Sequence, residues 1–124
     1  MLKVEQLQEQ ARELEAALVS ARTAVDAAAT AEKQAEGHEG DLPVIAAEKA
    51  LGTLGAADAE RRKNEILDAI ERARDEKNEA ELVVEELERR LHDKRDEIAQ
   101  AEALQAASKL AEFERNRTAS TELH

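Results

Sequence analysis

The chain contains no cysteine, which excludes disulfides and thiolate metal sites. A single phenylalanine is its whole aromatic complement and a single proline its only rigid imide, in 124 residues. With so little bulky apolar material, and with 38% of residues charged, a thick globular core cannot form. Glycine is scarce and ends early, since none of the four lies beyond Gly55. No apolar run approaches the length needed to span a bilayer, and the opening MLKVEQLQEQ has no apolar signal-peptide core. A cytoplasmic protein with no membrane contact is the expectation. There is no Gly-rich phosphate loop and no Ser, His and acid constellation on a rigid scaffold. We therefore expect no enzyme, no cofactor and no small-molecule substrate.

What is present is helical periodicity. From Asp58 to Arg117 the chain is rich in Ala, Leu, Glu, Lys and Arg, the strong helix formers. Two alternating sets of positions lie on one face: Lys63, Ile70, Lys77, Val84, Leu91, Ile98, and Ala59, Ile66, Ala73, Ala80, Leu87, Lys94, Ala101. Such a helix is roughly 90 Å long at its usual rise per residue, too long for an ordinary core helix. A first helix, from Leu2 to Glu36, carries a matching seam of Val4, Leu7, Ala11, Leu14, Leu18, Ala21, Val25, Ala28, Glu32 and Ala35. Its many alanines let helix axes approach closely while removing less apolar surface from water than leucine would.

Between the two lies an insert. GHEGDLP, residues 37–43, holds two glycines and the proline, and reads as a helix stop followed by a new start. Asp41 is the expected cap of a short helix from Pro43 to Leu51, with Val44, Ala47, Leu51 and Leu54 as its apolar stripe. The expected organisation is 1–36 first helix, 37–57 insert, 58–117 long helix capped by Asp58, and 118–124 frayed tail. The fold class is all-α: an elongated antiparallel helical hairpin or coiled coil with a short helix in the connecting insert and an overhanging C-terminal helix.

Size matching of the seams suggests a register in which partner numbers sum to 98, pairing Leu14 with Val84, Ala11 with Leu87, and bringing Glu32 near Lys63. That register leaves the end of the long helix without a partner in its own chain. The end is not polar, for Ala99, Ala103, Ala106, Leu110 and Phe113 recur at steps of four and three, rotated about one residue from the upstream seam. These five are the expected oligomer or partner interface. The expected partner is a second copy, with a dimer favoured, or another helical protein.

Other chemistry weighs less. Glu36, His38, Glu39 and Asp41 concentrate metal-capable groups in one turn, and Glu88 and His92 lie one helical turn apart, but a solvated turn and a surface ion pair explain them. No metal is expected. Basic clusters at Arg61, Arg62, Lys63, at Arg89, Arg90 and at Lys94, Arg95 are matched by neighbouring acids, with Asp58 and Arg62, Asp68 and Arg72, Glu85 and Arg89, and Glu86 and Arg90 each four apart. With 29 acidic against 18 basic side chains, the net charge of −11 opposes phosphate backbones and anionic membranes, so nucleic acid is not an expected partner. Lys77 and Lys94 at seam positions snorkel or mark register. The reading is an architectural protein acting through coiled-coil self-association or helix docking. Its outline resembles assembly scaffolds and chaperones, including those of phage particles, by composition and with no shared motif. An acidic module that inhibits a basic partner, and a nucleic-acid-associated oligomer, are the alternatives.

Overall fold

The computed structural model describes residues 3–122, with side chains to residue 118. Met1 and Leu2, at the expected start of the first helix, and Leu123 and His124 lie outside the described residues. Three α-helices follow one another: α1 (Val4–Glu36), α2 (Asp41–Leu51) and α3 (Ala56–Glu122), with a 3-10 turn at Gly37–Gly40. No strand occurs among the described residues. The first arm, α1 to α2, packs against α3 as an all-α hairpin with a short insert. α3 stays helical through the segment expected to fray, and Thr118 Oγ1 donates to the Glu114 carbonyl at 3.0 Å.

The chain does not reverse at GHEGDLP. Gly40 is right-handed helical, with φ −61° and ψ −20°, and Pro43 sits third in α2, where its missing N–H is not needed. Asp41 falls inside the first turn and makes no side-chain cap there; Gly40 holds the cap position. The reversal comes at Gly52, nine residues after Pro43. Gly52 takes the left-handed conformation, φ 77°, the single positive φ among the described residues. Its N–H and that of Thr53 donate to the carbonyls of Lys49 and Glu48, and Thr53 Oγ1 adds a third bond to Glu48 at 3.1 Å. The Ala59 N–H then donates to Gly55, opening α3 two residues before the expected Asp58 cap.

By contact the chain divides into two compact units, Leu18–Glu86, and Met1–Ala17 with Leu87–His124. Within the first, Ile45 is the buried residue of α2, beside Ala59 of α3, and Leu42, Ala46, Lys49, Glu60 and Lys63 complete a groove of about 230 Å³ around them. Leu42 follows Ala35 by seven residues, so the 3-10 turn leaves the phase of the seam intact. The expected α2 stripe is therefore corrected: Val44 and Leu51 point outward, Leu51 being 78% exposed, and of that stripe Leu54 is half-buried. Ile70 and Ala73 are buried, and Val25 and Val84 line an open cleft of about 450 Å³ rimmed by Arg22, Asp26, Glu81 and Glu85. Glu32 reaches Lys77 at 3.6 Å, and Glu36 reaches Arg74 at 3.2 Å.

Within the second unit, Leu7, Ala11 and Leu91 are buried while Val4, Leu14, Leu87, Lys94, Ile98 and Ala101 are half-buried. Gln8 Nε2 donates to Glu102 at 3.4 Å and the Arg95 guanidinium to Glu15 at 3.3 Å. In each unit, taken alone, paired numbers sum to 109 or 110. The register summing to 98 is thus wrong, and the Glu32 carboxylate meets Lys77 instead of Lys63. The cause is the turn: levels in an antiparallel hairpin sum to about twice the number at its centre, roughly 107 for a reversal at Gly52–Gly55. A sum of 98 would need the chain to reverse near residue 49, inside α2.

Candidate docking surface

Among the described residues Ala101 is the last half-buried one of α3; every residue from Glu102 to Thr118 is exposed. Continuing the hairpin seam at its own spacing past Ala101 gives Gln105, Ser108, Glu112 and Arg115, all polar. The apolar residues move instead to another face. Ala99, Ala103, Ala106, Leu110 and Phe113 form a stripe centred about 120° around the helix from the seam, at about 100° per residue. Leu110 is 59% and Phe113 64% exposed, and the five lie on one helix with no cover among the described residues. Ala99 and Ala103 belong to it although they flank the paired part of the hairpin, because they too are exposed.

One residue escapes the heptad reading. Leu104, 56% exposed, stands with Ala107 and Ala111 on a separate exposed track, beyond Glu114 from the stripe. Its spacing of three and four to those alanines was visible, but scoring only one heptad track passes it over. Charged residues border the stripe: Glu102 and Lys109 on one side, one heptad apart, and Glu114 on the other. Lys109 has no acidic partner among the described residues.

The remaining chemical candidates disperse. Glu36 and Glu39 both turn to Arg74, His38 approaches Asp41 at 3.6 Å, and His92 approaches Asp96 at 3.4 Å. No group of three or more His, Asp or Glu is placed to hold a metal ion among the described residues. The basic clusters are laced to acids: Arg61 to Asp58, Arg89 to Asp93, Lys94 to Glu97, Arg95 to Glu15. Asp58 thus takes Arg61, three residues on, in place of Arg62. Among the described residues no helix is long and apolar enough to cross a membrane. The chain matches no known family model, no curated protein and no solved structure.

Proposed function

We propose that this protein is a non-enzymatic assembly or scaffold element whose C-terminal helix docks another helix. The observation that carries the reading is the exposure of Leu110 and Phe113 in a regular three-and-four stripe beyond the last half-buried seam residue. A stripe of this spacing is what one helix needs to bury against another, and burying each of the two large side chains is worth about 1.5–3 kcal/mol. The pairing of Arg61, Arg89, Lys94 and Arg95 with acids supports a protein partner over nucleic acid, because those cations are already engaged. The test is Phe113→Glu, measured by light scattering and by binding at matched concentrations. Loss of association with unchanged helicity supports the reading; association equal to that of the parent overturns it.

A further inference from the structure

The charge and size pattern of the stripe is self-complementary in one orientation and one register. We infer that its occupant is the same stripe of a second copy, running antiparallel, with Ala106 at the twofold axis. This rests on the docking reading above and goes beyond it by naming the partner and the alignment.

Three observations converge. First, size runs from small to large along the stripe: Ala99, Ala103 and Ala106 precede Leu110 and Phe113. An antiparallel copy centred on Ala106 brings Phe113 level with the second copy's Ala99, and Leu110 level with its Ala103, so large meets small throughout. A parallel copy stacks Phe113 on Phe113 and leaves the alanine end a gap. Second, Glu102 and Lys109 on the stripe's border come level with the second copy's Lys109 and Glu102, forming two symmetric ion pairs. Lys109, with no acidic partner among the described residues, receives one from the second copy. Third, the alternatives are repelled. Sliding one heptad in one direction sets Lys109 against Lys109, and in the other sets Glu102 against Glu102 and Lys109 against Arg95.

The hairpin does not obstruct this pairing. The stripe lies about 120° from the seam that holds the first arm, so a second helix at ordinary packing distance of about 8–10 Å stands clear of α1. Ala99 and Ala103, small and exposed beside the paired region, leave room for the incoming phenylalanine.

The experiment is sedimentation equilibrium on the full chain at low salt, where exposed pairs are least screened. Glu102→Lys and Lys109→Glu singly should each weaken dimerisation about tenfold, and the double exchange should restore it. The absence of cysteine allows spin labels at single introduced cysteines. Labels on Ala107→Cys, beside the axis, should lie close together, and labels on Gln100→Cys should be offset by about 18 Å along the helix. Equal separations at the two sites, or a double exchange that does not restore association, overturn the antiparallel register while leaving docking through Phe113 intact. A chain that stays monomeric at every concentration overturns self-pairing, and a Phe113→Glu variant that still associates overturns the docking reading together with it.

Discussion

Glu32 and Lys77 face each other from the seam positions of α1 and α3, carboxylate to ammonium 3.6 Å apart, with side chains only 19% and 33% exposed. Glu32 is the polar exception in the α1 seam and Lys77 one of three lysines in the α3 seam, and the hairpin places these two together. Removing one partner leaves the other half-desolvated and unpaired, while replacing both with an apolar pair removes the desolvation cost altogether. Lys77→Leu alone should lower stability by about 1–2 kcal/mol, and Glu32→Leu with Lys77→Leu should equal or exceed the parent by about 1 kcal/mol. Urea unfolding of the four members of the cycle measures it; a double variant weaker than both singles would refute the argument.

The seam itself predicts a sharp contrast. Leu7 and Leu91, each 4% exposed, should cost about 2–5 kcal/mol on truncation to alanine. Val19→Ala, at a site 64% exposed, should change stability by less than about 0.5 kcal/mol. Thermal unfolding followed by circular dichroism separates the two classes.

Glycines at the two candidate bends should respond with opposite sign. A Cβ at Gly52 meets nothing within 4 Å, so the penalty of Gly52→Ala is the positive φ alone, about 1–2 kcal/mol. Gly40→Ala also has open space, in right-handed helical backbone, and should stabilise by about 0.4–1 kcal/mol by narrowing the unfolded ensemble. Equal effects would mean that the chain reverses elsewhere.

Truncation after Gln105 keeps the contact of Gln8 with Glu102 and the half-buried seam residues of α3, and removes Leu110 and Phe113. The shortened chain should unfold at nearly the parent temperature and remain monomeric by light scattering. A cut after Gln100 removes Glu102 and the half-buried Ala101 as well, and should be measurably less stable.

The seams were legible because their spacing is regular: all ten expected seam residues of α1 are buried or half-buried, and in α3 only Lys63 among the thirteen is exposed. The register was not, because Gly37, Gly40 and Pro43 look like the strongest break in the chain while all three fit helical backbone. The weaker-looking LGTLG makes the turn, through a φ that residue type permits but does not announce. α2 was misread for a related reason. Val44, Ala47 and Leu51 keep step with one another, but the phase inherited from α1 selects Leu42 and Ile45 for the inside. The stripe from Ala99 to Phe113 was legible as a pattern, and its exposure follows from its face, about 120° around α3 from the seam.

The tight reversal at Gly52 also orders events in time. Ile45 and Ala59, which line one groove, are separated by only fourteen residues of chain, whereas Gln8 and Glu102 are ninety-four apart. Closing the short loop sacrifices less chain entropy and then shortens the effective loop for each level beyond it, so folding should zip outward from the glycine turn. Substitutions at Ile45 and Ala59 should slow folding, and those at Leu7 should mainly speed unfolding. The stripe from Ala99 to Phe113 then sits beside the end of the hairpin that closes last.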